Sequence, residues 1–401
     1  MQYNVRQNRT RKGGVGLSGN EWLRRVFNGL LILLLLLGVT ELVVLRMGAD
    51  ARALEAERER QILQQEEEAK KDAASAEARE TGKPQTEENT PEASQPEEPQ
   101  PEEPTDEVYL ISFAGDCTLG DDVHIEGASE TFGVVVGNRY DYPLSGALPW
   151  FGTDDLTLVN LEGTFTDFWN MADKQFCFRG PRENVQILTL GSVECVSLAN
   201  NHTEDFGWQG YEDTVQTLEE ADVAHVPNGG TLLYETERGL KVGICAFFGW
   251  SDYVTTTVNE LRDEGAQVII ASFHMGDEGS YTVTGGQISM AHEAIDAGAQ
   301  IVYQTHPHVL QEVEYYNGGV IYYSLGNFAF GGNNYPKDMD TAIIQQEVIV
   351  SPEGEVSLGK TIPIPFCVGT TEAINDYCPT PYPVGSEGYE RVLKKLEGTY
   401  P

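Results

Sequence analysis

Ile301-Val302-Tyr303-Gln304-Thr305-His306-Pro307-His308 is a β-branched and aromatic run that ends abruptly in two histidines flanking a proline. The apolar part reads as a strand, and its polar end as a loop that carries chemistry. Pro307 fixes its own φ and is expected to hold His306 in extended backbone. Two imidazoles at i and i+2 then reach one small volume, and neutral imidazole is the commonest metal ligand. A capping or packing role is the alternative for an isolated His-Pro-His, so the weight falls on what the neighbouring segments deliver.

Upstream the same design repeats. The strand-like run 108–114 ends in Gly115-Asp116, and the run 156–161 places Asn160 and Glu162 on one side of its end. Residues 195–199 lead into Asn200-Asn201-His202-Thr203-Glu204-Asp205, and residues 267–273 deliver His274-Met275-Gly276-Asp277-Glu278. A further run, 240–248, ends at Gly249-Trp250 without a ligand, and downstream 319–326 leads to Asn327. A carboxylate on a glycine turn after a buried strand is where an α/β sheet keeps its ligands. For any single one of these residues, a turn side chain satisfying its own backbone is the plainer explanation.

Between the strands lie helical patterns. Residues 208–221 place Tyr211, Val215 and Leu218 on one side, 256–264 is shorter, and 287–297 runs up to Gly298 as its cap. Strands alternating with helices predict a layered α/β domain with the sheet inside. Asp116, Glu162, Asn201, His274, His306 and His308 form a mixed oxygen and imidazole donor set suited to one or two divalent ions of Mn, Fe or Zn. A shared carboxylate could bridge two ions about 3.5–4 Å apart. His202 is then left for proton transfer.

Taken in order, Phe113-Ala114-Gly115-Asp116-Cys117-Thr118-Leu119-Gly120, Val159-Asn160-Leu161-Glu162, Leu198-Ala199-Asn200-Asn201-His202 with Asp205 and Gly207, His274-x-Gly276-x-Glu278, His306-Pro307-His308-Val309-Leu310-Gln311 and Tyr323-Ser324-Leu325-Gly326-Asn327-Phe328 resemble the CapA family of poly-γ-glutamate capsule biosynthesis proteins. That family is similar to calcineurin-like metallophosphoesterases. The resemblance implies a four-layer αββα sandwich with a two-metal site at the sheet edge. It makes Asp116, Asn201, His274, His306 and His308 metal ligands, Glu162 the bridging carboxylate, and His202 the proton donor or phosphate-contacting histidine. Asn160, Asp205, Glu278 and Asn327 become substrate-contacting or ligand-supporting positions.

Arg179, one of few cations in the acidic domain, is read either as an anion anchor or as a surface ion pair. Two positions depart from the pattern. The wider superfamily places a histidine two residues after its first aspartate, where this chain has Thr118, and Thr305 stands where the family usually has Gly. The first metal position would lack an imidazole.

The 401 residues carry a net charge of -37, distributed as +4 over 1–50, -10 over 51–106 and -31 over 107–401. Such a domain repels a phosphate backbone, which argues against nucleic acid as a partner. Residues 26–46 form an apolar run long enough to span a bilayer, preceded by a basic tail over 1–25. A retained single-pass anchor with a cytoplasmic N-terminus is expected, with a cleaved signal peptide as the alternative. Residues 47–106 read as a charged helix followed by a Pro/Glu-rich disordered linker, holding an extracellular domain of residues 107–401 away from the membrane.

All six cysteines lie beyond the apolar run. Cys367 with Cys378 and Cys177 with Cys195 are candidate pairs, and buried free thiols are the alternative. Three functions follow: a metal-dependent hydrolase or transferase acting on a phosphoester or anionic polymer, a non-catalytic member of a membrane complex that makes a polymer, or a cell-surface phosphatase. The domain's negative charge counts against tight binding of poly-glutamate by its general surface.

Overall fold

The computed structural model describes residues 105–400. The basic tail, the apolar run 26–46 and nearly all of the linker lie outside the described residues. No helix among those described is long and apolar enough to cross a membrane.

The strands, in chain order, are β1 (Glu107–Cys117), β2 (Asp121–Asp122), β3 (Leu156–Leu161), β4 (Thr164–Phe165), β5 (Phe178–Gly180), β6 (Cys195–Ser197), β7 (Ala224–Val226) and β8 (Thr231–Glu235). They continue with β9 (Lys241–Phe248), β10 (Val268–His274), β11 (Ile301–Thr305), β12 (Val313–Tyr316), β13 (Gly319–Tyr322), β14 (Asp340–Val350), β15 (Val356–Cys367) and β16 (Thr380–Pro381). The helices are α1 (Phe132–Val136), α2 (Leu148–Phe151), α3 (Val185–Leu190), α4 (Gly207–Glu220), α5 (Val254–Asp263), α6 (Gly285–Ala297) and α7 (Glu387–Leu396).

Two large sheets result. One has the order β16-β15-β14-β1-β3-β6-β7, the other β12-β13-β11-β10-β9-β8, and β2-β5-β4 make a small third sheet. In the first, β1, β3, β6 and β7 run parallel. In the second, β13, β11, β10 and β9 do. Side chains alternate across each strand, so one strand feeds two cores. Val242, Ile244 and Ala246 of β9 join Ile111 and Phe113 of β1 between the sheets. Cys245 and Phe247 turn outward to Val254, Val258 and Leu261 of α5 and to Ala291 and Ala294 of α6. On the outer face of the first sheet, Val159 and Val196 meet Ile187, Leu188 and Leu218 of α3 and α4. The layers are therefore helix, sheet, sheet, helix. Strands buried on both faces explain the near-continuous apolar runs of the sequence.

Helix ends follow local chemistry. Thr284 and Gln287 form a reciprocal capping box at the start of α6, and Gly298 ends it at φ 114°. Residues 365–400, whose placement the sequence left open, complete β15, add β16 and pack α7 against the intersheet core through Val392 and Leu396. All six cysteines are buried free thiols, so neither candidate pair forms; each sits in its own packing niche.

Two devices lock the sheets together where the parallel strands end. Tyr303 on β11 donates to Ala114 O at 2.6 Å and receives Asn160 N at 3.1 Å, crossing from one sheet to the other. Asp116 N donates to Gly326 O at 2.9 Å, and Phe328 N returns to Asp116 O at 2.8 Å. Gly115 is required here, because a Cβ would lie 2.1 Å from Gly326 O.

Candidate metal centre

The strand ends converge on one buried cluster. Asp116, Glu162 and His274 are almost fully buried, and each offers a donor atom within 4.8 Å of the others. Glu162, His306 and His308 form a second such triad, so Glu162 is common to both. Its two carboxylate oxygens have no hydrogen-bond partner among the described residues. A buried, unpartnered carboxylate is costly, and a cation shared by the two triads would relieve it. The His202, His274 and His308 Nε2 atoms stand 3.9, 3.6 and 3.7 Å from Glu162 Oε1. These buried acidic and imidazole groups are compatible with a divalent metal site.

The remaining atoms of the cluster are held from behind. Asn160 Nδ2 donates to Asp116 Oδ1 at 2.8 Å, and Asn200 Nδ2 donates to Asn160 Oδ1 at 3.0 Å. His274 Nδ1 lies 2.8 Å from Thr305 Oγ1, while its Nε2 lies 2.7 Å from Asn201 Oδ1 and 3.0 Å from His306 Nδ1. His308 Nδ1 lies 2.9 Å from Asn327 Oδ1 and 3.3 Å from Asp116 Oδ2. Thr305, which replaces the usual glycine, thus orients an imidazole.

The expectation of extended backbone at His306 is corrected. His306 has φ 105° and His308 φ 56°, both in the region that favours glycine. The loop is held there by Gly279 N donating to Pro307 O at 2.7 Å and His306 N donating to Asp116 Oδ2 at 3.3 Å. Strain of this kind persists only where surrounding contacts over-determine it, and it clusters at functional sites.

Electrostatics divides the cluster. Burial opposes ionisation of Asp116, but the hydrogen bond and charge of His308, with His274 and Asn160, pull its carboxyl down to about 2. Burial pushes Glu162 well above the ordinary carboxylate range, with His308 pulling against it and Asp116 adding to it. His308 resists the lowering effect of burial, because Glu162 and Asp116 raise it to about 10. Burial lowers His274 well below its usual value and also lowers His306, which His308 lowers further.

His202 stands at the edge of the cluster. Its Nδ1 lies 2.7 Å from Asp205 Oδ2, which also receives Phe178 N at 2.7 Å, and the Phe178 ring packs 4.3 Å from the imidazole. Lys174 Nζ donates to Asp205 Oδ1 at 2.7 Å. Lys174 was not singled out from the sequence, because a lone lysine in a loop carries no local sign of a partner 31 positions away.

Three further positions lie outside the donor triads. Glu278 is exposed and lines the cleft beside His202. Arg179 makes a two-pronged contact of 3.0 Å to Glu126 and lies 3.5 Å over the Trp169 ring, the ion pair that one of its two readings expects. Thr118 is buried, and its Oγ1 receives Gly331 N; it serves as a loop clip where an imidazole would otherwise stand.

A family model described as "Bacterial capsule synthesis protein PGA_cap" matches residues 110–249 and 249–332, more than half of the chain. The chain belongs to this family. The capsule biosynthesis protein CapA of Bacillus anthracis is 27% identical over 52% of this chain and 58% of its own length. The PGA biosynthesis protein CapA of Bacillus subtilis (strain 168) is 27% identical over 60% and 68%. A probable polyglutamine synthesis accessory protein of Mycobacterium tuberculosis is 30% identical over 48% and 62%. The chain thus spans between 58% and 68% of the length of these curated relatives.

Among solved structures, the NAD nucleotidase of Haemophilus influenzae aligns at TM-score 0.38 and 13% identity, over 73% of this chain and 56% of that one. The protein TT1561 of Thermus thermophilus aligns at TM-score 0.35 and 9% identity, over 63% and 99%. Every segment cited above for the CapA resemblance falls inside the matched span of the PGA_cap family.

Proposed function

We propose that this member of the PGA_cap family acts in the synthesis or export of poly-γ-glutamate or a related cell-surface polymer, through a metal-dependent phosphoesterase-like site. One observation carries the catalytic part: the orphaned Glu162 carboxylate is shared by two donor triads. In this reading Asp116, Glu162, Asn201, His274, His306 and His308 would hold one or two ions of Mn, Fe or Zn. A bound divalent ion supplies Lewis acidity toward a phosphoryl oxygen.

The chain's own residues do the rest. Asp205 fixes His202 with Nδ1–H toward the carboxylate, so that Nε2, protonated in the imidazolium form, would give its proton to a leaving oxygen and return the ring to the neutral Nδ1–H tautomer. Asn160 and Asn327 hold Asp116 and His308 in place, and Glu278 lines the approach. The apolar run 26–46 would anchor the chain, cytoplasmic at its N-terminus, with residues 107–401 outside the cell beside other membrane proteins of the polymer machinery. Nucleic acid has no place in this reading, given the domain's acidic charge.

The test is hydrolysis of an aryl phosphoester by the full chain loaded with Mn²⁺ or Zn²⁺. His202→Ala should lower turnover by roughly 10²–10⁴-fold while metal content stays unchanged. A wild-type chain that turns over no phosphoester with Mn, Fe or Zn would refute the catalytic part.

A second reading, a non-catalytic member of the synthesis complex, is favoured by Thr118. Its hydroxyl is committed to Gly331 N, so this position gives no imidazole to a first ion. Polymer lost on deleting the gene and restored by His202→Ala would establish it.

A further inference from the structure

His202 and Asn201 stand in the wall of a cleft of about 920 Å³ that extends from the donor cluster across the surface. Its walls are aromatic and open to solvent. Trp208, Phe176 and Phe248 line it while 64%, 47% and 44% exposed. Trp208 is backed by Tyr211, their ring centroids 5.1 Å apart. Large apolar rings left open around a concave site mark a place where a ligand covers them.

Two amides stand among the polar groups between the rings. Gln175 and Asn228 face the same cleft. Asn228 spends its Oδ1 on Phe248 N at 2.9 Å, which leaves its Nδ2 as a donor. Lys174 is the cation of the lining, and its ammonium is already committed to Asp205 Oδ1 and Asn201 O. Glu204 and Glu278 add two carboxylates. Beyond the reacting phosphate, an anionic chain is therefore repelled, and a long alkyl chain would strip the amides and carboxylates of water without replacing their hydrogen bonds.

A neutral, polyhydroxylated ring satisfies both constraints. Its polarised C–H face lies against the negative face of an aromatic ring, and its hydroxyls exchange hydrogen bonds with amide groups that both donate and accept. We propose that this cleft is a sugar subsite, which binds a neutral hexopyranose carried by the phosphoester that the donor cluster acts on. The identity of the attached group rests on the phosphoester reading above; the affinity for the sugar ring does not.

Two measurements on the full chain separate these claims. Methyl hexopyranosides are titrated against metal-free protein by calorimetry and saturation-transfer NMR, beside adenosine monophosphate and a γ-glutamyl trimer. Saturable glycoside binding, weakened at least about tenfold in Trp208→Ala and in Asn228→Ala with unchanged circular dichroism, is expected; a tenfold loss corresponds to about 1.4 kcal/mol. The metal-loaded chain is then assayed on hexose 1-phosphate and phenyl phosphate, with the sugar ester expected to show the lower KM. Turnover of phenyl phosphate without glycoside binding would overturn the subsite and leave the phosphoester reading standing. Glycoside binding without any phosphoester turnover would do the reverse. Tryptophan-dependent binding of the nucleotide or the glutamyl trimer in preference to the glycosides would also overturn it.

Discussion

His202 presents Nδ1 to Asp205 Oδ2 at 2.7 Å, a contact that joins an imidazole at the edge of the donor cluster to a fully buried carboxylate. Asp205 also anchors Phe178 N and Lys174, so it fixes the ring as well as its tautomer. Asp205→Asn keeps the shape and loses the charge. Turnover of an aryl phosphoester should fall about 10–100-fold, the range seen when a residue supporting a ligand is lost, with metal content unchanged by mass spectrometry. Unaltered turnover would show that the pair only packs the loop.

Glu162 sits at the junction of two donor triads with neither oxygen satisfied among the described residues. Glu162→Gln should leave the melting temperature of the metal-free protein unchanged or higher, since a buried carboxyl gives way to a neutral amide. The stabilisation brought by added Mn²⁺ or Zn²⁺ should shrink or vanish. For the wild type it should reach about 2.7 kcal/mol at roughly a hundredfold excess over Kd. Thermal melts with and without metal decide the matter.

Lys395 is buried on α7, its ammonium 2.6 Å from Asp338 and 2.7 Å from Asp340, and Arg391 shares Asp340 at 2.6 Å. Removing one partner strands buried charge. Lys395→Ala should cost about 3–5 kcal/mol in urea unfolding. A loss below about 1 kcal/mol would mean that α7 is held by Val392 and Leu396 alone.

Asp154 and Asp121 each contribute to stability in the sense opposite to ordinary acid denaturation. Burial raises Asp154 to about 7 and Asp121 to about 6. Each keeps a proton in the folded state that it has lost in the unfolded chain at the same pH, so its own contribution to stability falls as pH rises from about 4 to about 7, while the lowered His274 and His306 contribute in the opposite sense. Asp340 works the other way: burial raises it, but Arg391 and Lys395 pull it below its ordinary value, and its effect lies below that window. Asp154→Asn should flatten the decline and stabilise the protein at about pH 8 by about 1 kcal/mol. Melting curves at about pH 4.5, 6 and 8 read it directly.

Much of the architecture was legible because β3, β9, β10 and β11 are buried on both faces and so appear as largely apolar runs. Helices α4, α5 and α6 fall within two residues of the predicted ranges. The C-terminal strands were not read. β15 carries Pro363 and Pro365, which argue against a central strand. The structure tolerates them because β16 pairs only with Phe366 and Cys367, and the chain beyond it meets Pro365 through the proline carbonyl, which accepts from Tyr382 N at 2.9 Å.

The donor cluster was legible as strand-end chemistry. The left-handed backbone of His306 was not, because the preference imposed by Pro307 is local. The bonds that override it come from Gly279 and Asp116, far away in sequence. The partners of Arg179 were hidden for a similar reason: Glu126 and Trp169 meet it across the fold.

The most direct test of the account is the metal content of the purified full chain, measured by mass spectrometry beside an Asp116→Ala/His308→Ala double variant. One or two transition ions per chain in the wild type, absent from the variant, is the predicted result. A wild type that takes up no Mn²⁺, Fe²⁺ or Zn²⁺ after reconstitution would contradict it.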